Sequence, residues 1–276
     1  MSRRKVPHEY EDIVDLAKDI FGDDLKAVVF YGHSAKPGEA PLHSDINVAV
    51  ITENEVSAHS KTLFYARMGR HVVPIFLTSK QLMELADRGD YFAHAILRGS
   101  LVLFDDGIIS ELKGRSIKWR DMLLQVRRKA MVSLGIAAQC IWRGAYGEAL
   151  NYMYKSMKSC FQWLCINNGE EPPPSDNKLS MKALSMGASK AVVNLFSELN
   201  ILRRYGAGRE KCHELMEGVV EGVKEILGLG GVGWRTLRSK IRGCYPLSIE
   251  VFERGGALRW RLDLAVEGGR KKSIEV

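Results

Sequence analysis

The spacing of hydrophobic residues changes once along this chain, near residue 113, and that change limits the fold more than any other feature. Before it, short apolar runs rich in β-branched residues alternate with helical patterns, which is typical of a sheet covered by helices. After it, hydrophobic residues recur at helical spacing through several long segments. A chain of 276 residues has room for about two domains, so we expect an α/β domain followed by a helical one.

The first part, residues 1–112, predicts the α/β domain. We expect helices over 9–21, 55–68, 79–87 and 91–97, and strands over 25–31, 46–52, 71–78 and 100–104. Ser79 is the expected cap of the third helix. The first two strands are joined by a loop too short for a crossover helix. Pro74 moves the third strand to an edge or a bulge, because proline cannot donate to a ladder.

The second part, residues 113–230, predicts an antiparallel bundle of helices over 117–142, 146–166, 179–184, 188–203 and 211–227. The last part, residues 231–276, is a basic tail. Within it, residues 247–266 alternate in polarity around Gly255 and Gly256, which predicts a β-hairpin.

Composition excludes several classes of protein. Hydrophobic residues make up 46% and charged residues 26%, which argues against disordered and fibrous chains. No apolar run approaches the roughly 20 residues that cross a bilayer, and the basic start lacks the apolar region of a signal peptide. The five cysteines are odd in number and lack CxxC spacing, so we expect reduced thiols in a cytoplasmic protein with no membrane partner.

Positive charge is concentrated in residues 113–158, which carry 10 Lys and Arg against 2 Asp and Glu. Such a block suits a polyanionic partner, but it also suits a solvated helix face. For the run Arg127, Arg128 and Lys129 both interpretations stay open.

The segment over residues 28–50 carries the clearest chemical signal. Gly32 directly follows a strand, where a glycine lets backbone N–H groups approach an anion, and Ser34 can donate another hydrogen bond. Asp45 and Asn47 are two positions apart on the next strand, so both side chains point to one face. Two oxygen ligands beside a phosphate-binding loop are what a Mg²⁺–nucleoside triphosphate complex needs.

These residues resemble the nucleotidyltransferase superfamily that includes kanamycin nucleotidyltransferase and the small minimal nucleotidyltransferases. The matching segments are Phe30-Tyr31-Gly32 at the strand end, Ala35-Lys36 with Gly38 in the loop, and Ser44-Asp45-Ile46-Asn47 on the next strand. The resemblance implies a mixed sheet and transfer of a nucleotidyl group to a hydroxyl. It implies Asp45 as the catalytic residue and Asp45 with Asn47 as the magnesium ligands. It implies that Gly32, His33, Ser34 and Lys36 bind the nucleotide.

The chain departs from that family at the residues that hold metal. His33 occupies the serine position, Pro37 lengthens the loop, and the neutral Asn47 replaces a second carboxylate. The third strand has Pro74 at the best alignment and contains no Asp or Glu. Since two-metal chemistry usually needs about three carboxylates, we expect magnesium to bind weakly or not at all.

A missing carboxylate could come from Asp87, Asp90 or Asp105. Alternatively, the chemistry uses a single metal ion, or the site only binds and the protein is a catalytically degenerate regulator that binds nucleotide or nucleic acid. Whether it is an enzyme is left open, as are a nucleic acid or protein acceptor and a homo-oligomer.

The helical part resembles, in architecture, the HEPN domain that often follows such a catalytic domain, over residues 146–163 and 199–208. Ribonucleases of that family carry an Arg and a His near the last helices. Here Arg209 and His213 are separated by three residues, which departs from the family spacing, so we expect a surface pair on a helix. The aromatic series Trp142, Tyr146, Tyr152, Tyr154, Phe161 and Trp163 is interpreted as core.

Overall fold

The computed structural model describes residues 8–32, 46–68, 72–114, 118–241, 243–266 and 270–276. The chain forms two compact units, Met1–Met122 and Leu123–Val276. The sequence predicted a first boundary near residue 112, and here the division falls within a helix that begins at Trp119.

The first unit alternates helices and strands. Its helices are α1 (His8–Phe21), α2 (Ala58–Met68), α3 (Ser79–Asp87), α4 (Tyr91–Arg98) and α5 (Ile108–Lys113), and its strands are β1 (Leu25–Phe30), β2 (Ile46–Thr52), β3 (Val72–Thr78) and β4 (Leu101–Asp105). A 3₁₀ turn, Gly22–Asp24, leads from α1 into β1.

The strands of this unit form a mixed sheet in the order β3-β2-β1-β4. β1 pairs antiparallel with β2 and with β4, whereas β2 and β3 are parallel. An antiparallel β1–β2 pair needs no crossover helix, in agreement with the short connection that the sequence predicts. β3 is an edge strand, which confirms the position predicted from Pro74.

Each face of the sheet is covered by its own apolar cluster, because successive strand residues point to opposite sides. On one face, β1 and β2 pack against α1 and α2 through Val28, Phe30, Val48, Val50, Ile13, Ala17 and Phe64. On the other face, they pack against α3, α4 and α5 through Ala27, Val29, Ala49, Ile51, Leu82, Ala93, Ile96 and Ile109.

The second unit contains long helices followed by a second sheet. The helices are α6 (Trp119–Trp142), α7 (Tyr146–Asn167), α8 (Asp176–Ser185), α9 (Lys190–Tyr205), α10 (Arg209–Leu227) and α11 (Trp234–Lys240). The strands are β5 (Gly230–Gly231), β6 (Tyr245–Arg254), β7 (Ala257–Val266) and β8 (Arg270–Glu275).

The hairpin predicted for the tail forms as β6 and β7, which pair antiparallel around Gly255 and Gly256. Both glycines have positive φ, +60° and +72°, as the tight two-residue turn requires. The sheet is not a separate tail. Gly135 of α6 lies against the backbone of β6, where a Cβ atom would meet the carbonyl oxygen of Ile249 at 3.2 Å. The second unit is therefore helical and β together, rather than an all-α bundle alone.

Local differences from the prediction have local causes. The helices α5 and α11 and the strand β8 were not predicted, because each is short and its polarity follows no clear period. α3 is capped by Thr78 rather than by Ser79: the Thr78 hydroxyl accepts from Gln81 N–H at 3.1 Å, and the Gln81 side chain accepts from Thr78 N–H at 2.9 Å.

All five cysteines are free thiols, and Cys160, Cys165 and Cys212 are buried. Burial raises the pKa of the Cys165 thiol to about 11, so it stays protonated at neutral pH. Among the helices of the described segments, none combines the length and apolarity that crossing a membrane requires.

Candidate functional site

The end of β1 and the start of β2 bring two predicted site residues together. The backbone N–H of Tyr31 donates to the carbonyl oxygen of Asn47 at 3.2 Å. Gly32 follows with a left-handed φ of +66°, and a Cβ atom placed there would lie 3.7 Å from Nδ2 of Asn47. The predicted residues His33, Ser34, Lys36 and Asp45 lie outside the described residues.

Asn47 lies on the face of β2 that carries α3, α4 and α5. Its neighbours Ile46 and Val48 pack into the cluster of the opposite face, so strand alternation turns Asn47 away from them. Tyr31 is on the same side as Asn47, where its ring packs edge-on against Phe92 of α4 with 5.3 Å between centroids. The site at this sheet edge is therefore bounded by the first turn of α4.

Tyr31 is a residue of this edge that the sequence analysis did not select. Burial, with a smaller contribution from nearby Tyr65, raises the pKa of its phenol to about 12. The phenol is therefore neutral at physiological pH and can offer a hydrogen-bond donor without adding charge. Its position as the last residue before Gly32 was the only signal in the sequence, and an apolar strand gives a tyrosine no special meaning.

The β3 residue beside Asn47 is Val73, because the parallel register pairs Asn47 with Val73 and Val48 with Pro74. Val73 is 39% exposed, so the position is accessible. Pro74, the residue that the family resemblance aligned with the third carboxylate, is the next residue along β3. At either position the strand supplies no oxygen ligand, so β3 does not complete a three-carboxylate site.

Two of the three proposed substitute carboxylates are used as helix caps. Asp105 accepts from the backbone N–H groups of Gly107 and Ile109 at 3.0 and 2.9 Å, and from the Ser110 hydroxyl at 2.7 Å. Partial burial alone would raise the pKa of Asp105, but these hydrogen bonds hold it below its ordinary value. Asp105 also pairs with Ala27, at the opposite end of β1 from Gly32. It is therefore too far away to join Asn47.

Asp90 caps α4, where its Oδ1 accepts from Phe92 N–H at 2.7 Å and from Ala93 N–H at 3.4 Å. Asp87 ends α3, and its backbone carbonyl accepts a hydrogen bond from the Lys118 ammonium. Both carboxylates lie near the first turn of α4. Asp90 bonds to the backbone of Phe92, the residue whose ring packs against Tyr31.

A magnesium ion would find few ligands among the described residues. Within those segments, no group of three or more His, Cys, Asp and Glu side chains is arranged to hold a metal. Asn47 can offer its amide oxygen, which suits a hard cation but adds no charge. The fit is therefore partial, and further ligands would have to come from Asp45 and from the oxygens of a bound triphosphate.

The Arg209 and His213 pair of the helical unit is not a surface pair, which corrects the sequence interpretation. His213 is only 6% exposed, and its Nδ1 accepts a hydrogen bond from the Trp234 indole at 3.2 Å. Its ring also stacks on that of Trp234. Burial lowers the pKa of His213, and the nearby guanidinium groups of Arg238 and Arg209 lower it further. This histidine is a neutral core residue.

The basic block is partly structural. Arg127 forms an ion pair of 2.7 Å with Glu253 and lies over the ring of Trp163. Lys158 pairs with Asp176 at 2.8 Å. Arg128 and Lys129 are exposed. Of the run 127–129, Arg127 is tied into the helical unit and the other two side chains are exposed.

No protein-family model matches this chain, and no curated protein matches it. Among solved structures, the chain is similar to spectinomycin adenyltransferase AAD(9) from Enterococcus faecialis, in a structure with ATP and spectinomycin. The TM-score is 0.51 at 11% identity, over 79% of this chain and 99% of that one. A nucleotidyltransferase-like protein from Exiguobacterium sibiricum 255-15 matches with a TM-score of 0.37 at 11% identity, over 87% of this chain and 82% of that one. The protein has a nucleotidyltransferase-like fold, and an identity this low shows the fold alone.

Proposed function

We propose that this protein binds a Mg²⁺–nucleoside triphosphate where the end of β1 meets the start of β2, and that it transfers the nucleotidyl group to a hydroxyl acceptor. The observation that carries the proposal is that the Asn47 side chain lies beside Gly32, the glycine that ends β1. Gly32 ends the buried strand β1 with a left-handed φ, and because it has no side chain, it leaves the space beside the Asn47 amide open to a ligand. The fold shared with an adenyltransferase whose structure contains ATP supports the same ligand.

In this proposal, the loop residues bind phosphate and the β2 residues bind the metal. Gly32, His33 and Ser34 hold the β- and γ-phosphates, and Lys36 offsets charge that develops on the leaving group. Asp45 and Asn47 hold magnesium, which would neutralise charge on the triphosphate. The acceptor oxygen attacks the α-phosphorus, the bond from that phosphorus to the β-phosphate oxygen breaks, and pyrophosphate leaves. The hydroxyl proton passes to Asp45.

A second candidate function is regulatory binding of nucleotide or nucleic acid without transfer. Val73 favours it, because the β3 position beside Asn47 holds an apolar side chain where a third carboxylate would complete the site. We also propose that the helical unit is HEPN-like.

Calorimetry with ATP, with and without Mg²⁺, tests binding, and pyrophosphate release in the presence of hydroxyl acceptors tests transfer. We expect wild-type protein to bind ATP and magnesium to increase the affinity. Asp45→Ala should keep the metal-free part and lose the magnesium-dependent part. Binding without pyrophosphate release would favour the regulatory function. A Kd of about 1 mM corresponds to a binding free energy of only about −4 kcal/mol. If the protein does not bind ATP even at about 1 mM, both nucleotide proposals are refuted.

A further inference from the structure

A cavity of about 350 Å³ lies along α4, and all of the described residues that line it belong to the first unit. This volume is within the usual range for sites that bind small molecules. Its apolar wall includes Leu97, Leu112 and Met122, which are buried. Neither Gly32 nor Asn47, the described residues of the proposed nucleotide site, lines the cavity.

The sequence of α4 explains why the cavity is polar along one side. Asp90, His94 and Arg98 are four residues apart, so they follow one stripe of the helix, and all three line the cavity. Phe92 falls between them on another face, where it packs against Tyr31. One face of α4 therefore supports the sheet edge while another forms the side of the cavity.

The two ends of this stripe carry opposite charge. Asp90 and Arg98 are eight residues apart, which corresponds to about 12 Å along a helix axis. Asp87 and Lys118 also line the cavity. Asp87 lies three residues before Asp90, and the Lys118 ammonium donates to its carbonyl oxygen, so both are at the Asp90 end. Among the described lining residues, the Asp90 end therefore holds the carboxylates of Asp87 and Asp90 with the Lys118 ammonium, and the other end holds the Arg98 guanidinium.

We propose that this cavity binds a small zwitterion that carries an amine and a carboxylate at opposite ends of an apolar body. The amine is placed at the Asp90 end, the carboxylate at the Arg98 end, and the apolar body against the leucine and methionine wall. The Asp90 carboxylate is already fixed by its two bonds to the α4 backbone, so little freedom is lost when an amine binds it. This inference does not depend on the nucleotide proposal.

The test is calorimetry on the full chain with 4-(aminomethyl)benzoate, which separates its two charges by a benzene ring. Benzylamine and benzoate carry one of the charges each and serve as matched probes. We expect the zwitterion to bind about tenfold more tightly than either, the scale of one charge-assisted hydrogen bond. Equal binding of benzylamine or benzoate, or no binding at about 10 mM zwitterion, would overturn the proposal.

Three variants locate the ligand. Asp90→Asn keeps a good helix cap and removes the charge, so it should weaken the zwitterion about tenfold without affecting benzoate. Arg98→Gln should weaken the zwitterion and benzoate but not benzylamine. Arg88→Gln is the control, because Arg88 is exposed in an ion pair with Glu84 and does not line the cavity. An equal loss in the control, or displacement of the zwitterion by ATP, would show that the ligand binds elsewhere.

Discussion

Replacement of Gly32 by alanine separates the function of the loop from its contribution to stability. Gly32 has φ +66°, a region that costs an L-residue about 1–2 kcal/mol. The new Cβ atom would lie 3.7 Å from Nδ2 of Asn47, an ordinary contact that adds no steric cost. We therefore expect Gly32→Ala to lower the free energy of unfolding by about 1–2 kcal/mol. It should weaken ATP binding at least tenfold, because the methyl group lies where phosphate would approach the backbone.

Gly22 provides a matched control at the other end of β1. It also has a left-handed φ, +53°, and among the described residues no atom beyond its chain neighbours lies within 4 Å of the Cβ position. Gly22→Ala should lose a similar amount of stability and keep full ATP affinity. Chemical denaturation measures the first quantity and calorimetry with Mg²⁺ and ATP the second. If the two variants bind ATP equally well, the end of β1 is not the nucleotide site.

Three further outcomes follow from the structure. Asn47→Asp should strengthen Mg²⁺-dependent ATP binding in calorimetry, because it adds a negative charge at the metal; unchanged or weaker affinity would place the metal elsewhere. Asp105→Ala should cost about 1 kcal/mol in urea denaturation at neutral pH, since a helix cap is lost. The folded-state pKa of this carboxyl is lowered, so its stabilisation is present above about pH 4 and disappears in acid; a difference from wild type that persists at lower pH would contradict this. Gly135→Ala should be less stable than Gly147→Ala by about 1–2 kcal/mol, because only the first places a Cβ against the backbone of Ile249; equal thermal stability would contradict that packing.

Much of the fold could be predicted because hydrophobic period depends only on neighbouring residues. The strand bounds of β2, the edge position of β3 and the hairpin at Gly255 all follow from local patterns. The proximity of Gly32 and Asn47 is also consistent with the sequence, because a connection too short for a crossover helix favours antiparallel strands, whose adjoining ends lie together.

The metal ligands could not be predicted in the same way. Which β3 residue lies beside Asn47 depends on the register of a parallel pair, and that register is set by packing on both faces of the sheet. The structure places Val73 beside Asn47 and Pro74 beside Val48. The sequence left Asp105 as a possible ligand because α5 was not predicted; in the structure both of its carboxylate oxygens accept hydrogen bonds from α5.

By itself, the sequence determined the order of the longer helices and strands, the α/β character of the first unit and the glycine that ends β1. Only the tertiary structure decided that His213 is a buried acceptor for Trp234 and that β6 packs on α6 at Gly135. It also decided that α4 meets Leu112, Lys118 and Met122 around a cavity. The physical reason is that each of these contacts joins residues distant in sequence, so no local period records it.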